Sequence, residues 1–426
     1  MPHEHTFLDF SVVHPSLPPL PGREEEIVVT GLGMTTPQGG DVQSTWDGLL
    51  AGASGVRLLD APWTADLPVR LGAPVREDPG TLLDRVARRR MDRCQQLAVV
   101  AARQAWADAG APDVDPERLA VVFGTGLGGG GTLIEQYDRC QELGPGRVSP
   151  FTVTMLMPNG PAAAVSMDIG ARGGAHAPTS ACASGAEAIA LGAALLQRGL
   201  ADVVVAGGTE ACLGRLSIAA FARMGALSRR HDQPEGASRP FDSGRDGFVM
   251  AEGAGAVVLE RGSFARARTA RISARLAGIG MTSDAHDMTA PSPHGQIRAI
   301  RRALRSAGLS PYDVTHVNAH APGTPVGDRV EAAAVLEALG PHPLVTATKS
   351  VTGHLIGGAG AVEAIFTLLA VRDGVIPPTR NLDDQDSDVK LEIVADRPRH
   401  ARIGAAISNS FGFGGHNVVL VFTRSG

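Results

Sequence analysis

Lysine is almost missing from this chain. Of its 39 basic residues only Lys349 and Lys390 are lysines; the rest are arginine. A chain that uses arginine wherever either cation serves keeps lysine where a compact ammonium is needed, since the two differ in shape, hydration and readiness to shift pKa. Lys390 lies in a polar, acidic stretch and reads as a surface residue. Lys349, in Thr348-Lys349-Ser350-Val351-Thr352-Gly353-His354, precedes a histidine in a Gly-rich segment and is a functional candidate.

Other absences narrow the class. No apolar run approaches the ~20 residues of a bilayer span, and the N-terminus lacks the basic-then-apolar pattern of a secretory signal, so no membrane association and a cytoplasmic location are expected. The four cysteines, Cys94, Cys140, Cys182 and Cys212, have neither paired metal-ligand spacing nor the density of a disulfide framework. Reduced thiols and no metal site are expected. A formal charge of −5 argues against generic nucleic-acid binding, so an acidic partner would need a local basic patch. What remains is a globular chain of 426 residues, 43% hydrophobic and 19% charged, in one large or two closely joined domains.

Residues 1–26 carry prolines and end in Glu24-Glu25-Glu26 without a hydrophobic period, the pattern of a loose extension. Strand-like runs then alternate with Ala-rich helical stretches: Ile27 to Thr30, Ala120 to Phe123, Asp202 to Val205, Ala256 to Leu259, Val314 to Val317 and Val418 to Phe422. Such alternation predicts an α/β fold with buried sheets. The halves resemble each other. A helix over Leu97 to Ala109 precedes one Gly and strand, and a helix over Ile297 to Ala307 precedes another; Ala186-Glu187-Ala188-Ile189 is echoed by Val362-Glu363-Ala364-Ile365. A period this long indicates duplication of a whole α/β unit, with halves over 27–268 and 269–426. Equivalent strand and helix ends then converge, and one half can supply a nucleophile while the other supplies histidines.

Thr179-Ser180-Ala181-Cys182-Ala183-Ser184-Gly185 sets a thiol among small residues at the start of a helix, where the dipole and free N–H groups favour thiolate. A buried small hydrophobe is the plain alternative for such a cysteine. His320 follows a strand-like run, and His354 enters Leu355-Ile356-Gly357-Gly358; both sit where a regular element gives way to small residues. Asn409-Ser410-Phe411-Gly412-Phe413-Gly414-Gly415-His416-Asn417 reads either as a tight turn or as an oxyanion-binding loop gated by phenylalanine. Gly124-Thr125-Gly126-Leu127-Gly128-Gly129 fits a dinucleotide fingerprint, but no second strand ends in a ribose-binding acid at the required distance.

Taken together, Ser180-Ala181-Cys182-Ala183-Ser184-Gly185, Asn318-Ala319-His320, Lys349 to His354 and Gly412 to Asn417 resemble the β-ketoacyl-acyl-carrier-protein synthases of the thiolase superfamily, in order, from about residue 27 to the end. Arg239-Pro240-Phe241-Asp242 with Arg245-Asp246-Gly247-Phe248 matches a further block. The likeness is greatest to the long-chain-extending enzymes of bacterial type II systems. It implies a thiolase-like fold, with duplicated halves layered αβαβα, and decarboxylative Claisen condensation of an acyl thioester on Cys182 with malonyl carrier. His320 and His354 would hold the malonyl thioester oxygen, Lys349 would hold the histidines with Glu331, and Asp328 would support them. Backbone N–H groups of Cys182 and Phe413 would form the oxyanion hole. Thr324, Phe411, Phe413 and Leu127 would contact substrate. No metal or redox cofactor is implied, because decarboxylation itself generates the nucleophile.

The implied partner is acyl carrier protein, docking on a basic helix with Arg85, Arg88, Arg89, Arg90 and Arg93. A dimer is also implied, either of identical chains or with a chain-length factor in polyketide synthesis, with Met155-Leu156-Met157-Pro158 near the interface. Chain-length factors typically lack the cysteine, so Cys182 points to the catalytic subunit. A degradative thiolase would need a second catalytic cysteine near the C-terminus, whereas the last here is Cys212. One position departs from the family pattern: Pro322 replaces a threonine that would seat the pantetheine amide, so that Thr324 acts alone or the arm sits differently.

Overall fold

The computed structural model describes residues 25–425. The extension expected over 1–26 therefore lies outside the described residues except for Glu25 and Glu26. Glu26 already belongs to the fold, its backbone carbonyl accepting from Gly262 N at 2.7 Å.

Eleven strands form one sheet. Along the chain they are β1 (Ile27–Thr35), β2 (Leu119–Gly124), β3 (Ala175–His176), β4 (Val203–Glu210), β5 (Gly253–Arg261), β6 (Ala274–Ser283), β7 (Val314–Asn318), β8 (Leu344–Thr346), β9 (Glu392–Ile393), β10 (Ala405–Gly412) and β11 (His416–Thr423). Their spatial order is β9-β8-β7-β10-β11-β6-β1-β5-β4-β2-β3. Outward from the centre, β1 pairs β5 antiparallel, β5 pairs β4 antiparallel, and β4-β2-β3 run parallel. From β6 the other way, β11 and then β10 pair antiparallel, and β10-β7-β8 run parallel. The same succession twice is the duplication the sequence suggested. The copies join where β1 meets β6, Ile27 opposite Leu276.

Six helices matter for the site: α1 (Arg85–Arg90), α2 (Arg93–Asp108), α3 (Ser184–Gln197), α4 (Pro293–Ala307), α5 (Gly327–Leu339) and α6 (Ala359–Asp373). α3 and α6 pack on each other and on strands of their own halves, β4 and β2 for α3 and β10 for α6. α6 is buried from Ala359 to Val371, as a helix apolar around its circumference must be. α2 covers β1 and β5 on one outer face, and α4 covers β6 and β11 on the other, giving the expected αβαβα layering.

Both outer helices sit close because glycine faces them. A Cβ on Gly33 of β1 would lie 2.0 Å from Ala101 O of α2, and one on Gly280 of β6 would lie 2.0 Å from Ala299 O of α4. No other residue permits that approach at either copy.

Candidate active site

Cys182 lies in a single 3₁₀ turn, Ala181–Ala183, that runs into α3. Ala181 takes a left-handed φ of 50°, costly for a residue with a Cβ, so the chain bends sharply just before the thiol. Ser184 Oγ braces the bend, accepting from Ser180 N at 3.0 Å and donating to Ala181 O at 2.7 Å. The expected thiolate is not the resting form. Burial pushes the thiol up to about 12, and the Lys349 charge and a Phe413 N–H aimed at the sulfur only partly offset it.

His320 follows the end of β7, and His354 follows the short helix Lys349–Thr352. The rings meet edge to face, centroids 5.2 Å apart at 82°. Sulfur and imidazole donor atoms of Cys182, His320 and His354 all lie within 4.8 Å of one another. Burial, reinforced by the Lys349 charge, pushes both imidazoles well below their ordinary range, so both are neutral. Phe411 flanks His320 with centroids 6.2 Å apart, and Phe248 flanks His354 at 5.3 Å.

Lys349 is fully buried, and its ammonium donates to His320 O at 2.6 Å, to His320 Nδ1 at 3.3 Å, and to Glu363 of α6. The expected pairing with Glu331 is corrected here. Glu331, on α5, instead accepts from His320 N at 2.9 Å, Ala321 N at 2.7 Å and Asn409 Nδ2 at 2.9 Å. It fixes the backbone that carries His320, while Glu363 neutralises the lysine. Asp328, also on α5, accepts from Phe241 N at 2.9 Å and from Gly323 N and Thr324 N at 3.1 Å. Burial raises its carboxyl to about 7. Arg245 completes this clamp, donating to Thr324 O at 3.1 Å and Pro325 O at 2.8 Å.

The clamped loop borders a cavity of about 480 Å³ that contains Cys182, His320 and His354 together with Pro322, Thr324, Phe411 and Phe413. Leu127 is not on that wall; its side chain is 46% exposed on the protein surface. The basic helix also differs from expectation. α1 stops at Met91, and Asp92 caps a new helix, accepting from Cys94 N at 2.8 Å. Arg93 then turns inward to Glu252 at 2.7 Å, leaving Arg85, Arg88, Arg89 and Arg90 on α1. Arg90 lies over the Phe151 ring at 5.2 Å.

The glycine loop after β2 is occupied by the protein itself. The buried Glu210 carboxylate accepts from Gly126 N at 2.8 Å, Leu127 N at 3.3 Å, Thr125 Oγ1 at 3.1 Å and Gly357 N at 3.2 Å. N–H groups that a pyrophosphate would need are thus already taken. Glu210, Glu363 and Asn409 are the site residues the sequence reading did not assign. Glu363 left a signal, as the lone acid in an otherwise apolar run from Ala359 to Val371.

A thiol and two neutral imidazoles, drawn from opposite copies of a layered, doubled α/β unit onto one cavity, define a thiolase-like condensing acyltransferase. The chain belongs to the β-ketoacyl synthase family, whose N-terminal domain model matches residues 24–265 and whose C-terminal domain model matches 273–383. It is 48% identical over 404 residues to the 3-oxoacyl-[acyl-carrier-protein] synthase 2 of Mycobacterium tuberculosis, covering 93% of this chain and 97% of that protein. Against the protein of the same name from Synechocystis it is 42% identical over 409 residues, covering 94% and 98%. Among solved structures, the ishigamide ketosynthase/chain length factor superposes with a TM-score of 0.90 at 32% identity over 95% of this chain and all of that one. AntDE:AntF, a type II polyketide synthase carrier protein in complex with its ketosynthase, superposes at 0.88 with 29% identity, covering 95% of this chain and 100% of that one.

Proposed function

We propose that this synthase elongates acyl chains in type II fatty acid synthesis, with Cys182 as the acyl-bearing nucleophile. The observation that carries the reading is the meeting of Cys182 Sγ with two neutral imidazoles within 4.8 Å on one cavity wall. In the first half-reaction Cys182 sulfur bonds the acyl carbonyl carbon, the bond to the carrier's pantetheine sulfur breaks, and the thiol proton passes to that departing sulfur. In the second, the malonyl C–C bond to carboxylate breaks, carbon dioxide leaves, and the electron pair becomes an enolate. N–H groups of His320 and His354 stabilise its oxygen. The enolate carbon bonds the acyl carbon, the Cys182 C–S bond breaks, and the cysteine recovers a proton from solvent. Backbone N–H groups of Cys182 and Phe413 hold the tetrahedral oxyanion between these events. The chemistry calls for neither metal nor redox cofactor.

The proposed partner is acyl carrier protein, an acidic surface meeting the arginines of α1. Arg85, Arg88 and Arg89 border a surface hollow of about 620 Å³, which supports this docking face. Reversing Arg85 and Arg89 to glutamate should raise KM for carrier-bound substrate and spare small thioester mimics; equal loss on both removes the docking role. A second subunit is proposed across β3, whose two residues are exposed and whose one strand neighbour among the described residues is β2. The reading places the enzyme in the cytoplasm. Likeness to polyketide ketosynthases favours one alternative, a catalytic subunit paired with a chain-length factor. Purified chain acting alone as a homodimer supports the first reading, and activity that appears only with a second, different chain supports the other. Mass spectrometry of Cys182 after exposure to a ladder of acyl carriers tests the chemistry itself: an acyl adduct on that residue is expected, and acylation elsewhere sinks the assignment.

A further inference from the structure

Three donor atoms crowded within 4.8 Å, one sulfur and two imidazole nitrogens, also make a ligand set for a thiophilic dication. Tetrahedral zinc holds such donors roughly 3.5 Å apart, given Zn–S and Zn–N bonds of about 2.3 and 2.0 Å, a closure within the reach of side-chain rotation. The cavity leaves a fourth position open. A metal seated there would bind the nucleophile, release its proton to solvent and stop turnover.

The hydrogen bonds of Lys349 bear directly on this hazard. An ammonium carries three protons, and Lys349 has three acceptors around it: His320 O, His320 Nδ1 and Glu363 Oε1. Nδ1 must therefore accept, and the ring proton must sit on Nε2. One His320 nitrogen spends its lone pair on the ammonium, and the other has none to give. Only Cys182 and His354 remain as ligands. The lysine is wholly buried and cannot swing aside, and its charge, in contact with the His320 ring, further opposes a cation.

We infer that Lys349 guards the catalytic cluster against divalent metal ions by fixing His320 in a tautomer that cannot ligate. Replacing the ammonium with an apolar side chain lets Nδ1 take the proton and frees Nε2, turning the centre into a Cys-His-His metal trap. The inference concerns ligand chemistry and stands whichever acyl chain the enzyme extends.

The test titrates the full chain with Co²⁺ and reads thiolate-to-cobalt charge-transfer absorption, in wild type, Lys349→Met, and Lys349→Met with Cys182→Ser. In parallel, Zn²⁺ is tested for protection of Cys182 from alkylation. The wild type should show no cysteine-dependent band and no zinc protection. Lys349→Met should show both, with affinity ~10- to 100-fold above wild type, and the band should vanish with Cys182→Ser. If Lys349→Met fails to fold, Lys349→Met with Glu363→Gln, which removes the orphaned carboxylate, is read the same way. Zinc protection of the wild type equal to that of the variant overturns the inference. So does a folded variant with no cysteine-dependent band.

Discussion

Lys349 and Glu363 form an ion pair sealed from solvent, one partner from the segment before His354 and the other from the buried stretch of α6. Breaking such a pair on one side strands a charge in the interior, at a cost of about 3–5 kcal/mol. Glu363→Gln should therefore lower thermal stability by that order, measured by calorimetric melting. Lys349→Arg keeps the charge but not the compact three-proton fit. Turnover should fall on the order of 100-fold while the chain stays folded; full activity in that variant rejects the positioning role.

The resting thiol gives a second outcome. With Cys182 pushed up to about 12, only the small thiolate fraction reacts near neutrality. Its alkylation rate should climb close to tenfold per pH unit from about pH 7 to pH 10 without a plateau. A plateau near the ordinary thiol value contradicts this. Lys349→Met should slow alkylation further at every pH, because it removes the charge that favours thiolate.

His316 on β7 is buried, its Nδ1 facing Leu344 O at 2.9 Å, and burial lowers it to about 4. Unfolded, the same imidazole protonates below about 6.5, so between 6.5 and 4 the unfolded state binds the extra proton and stability falls as pH falls. The contribution lost across that window is roughly 3 kcal/mol. Denaturant melts of His316→Gln should show a shallower acid slope than wild type. Identical slopes would place the acid sensitivity elsewhere.

Gly33 and Gly280 make a matched pair for mutation. Alanine at either would set a Cβ 2.0 Å from a helix carbonyl, so each outer helix must move. Both variants should lose about 2–3 kcal/mol, read from urea midpoints, and by similar amounts. If one is tolerated and the other is not, the two halves do not pack alike.

Much of this was legible in the chain. The nucleophile segment, both histidines and the lone functional lysine are local patterns of small residues around a reactive group; the structure brings the thiol and the imidazoles to one wall and buries the lysine behind His320. Edges of elements were harder: β6 and β10, Ala-Arg-Leu-Ala-Gly-Ile-Gly-Met-Thr-Ser and Ala-Ala-Ile-Ser-Asn-Ser-Phe-Gly, are too small and polar to read as strands until their neighbours bury them. A further sign of duplication lies in Gly31-Leu32-Gly33-Met34-Thr35 against Gly278-Ile279-Gly280-Met281-Thr282. Glu331 was expected beside Lys349 and Glu363 stands there instead, because sequence distance does not say which acid lies across the core from a lysine. The thiol's high pKa was invisible for a related reason, since a helix end is local and burial is not.

Glu210 gathers N–H groups from Gly126 in one copy and Gly357 in the other onto a single carboxylate. That stitch lies beneath the bend carrying the sulfur and the turn that follows His354. Relative sliding of the copies would break it, so one buried carboxylate ties together the two segments that carry the thiol and the second imidazole.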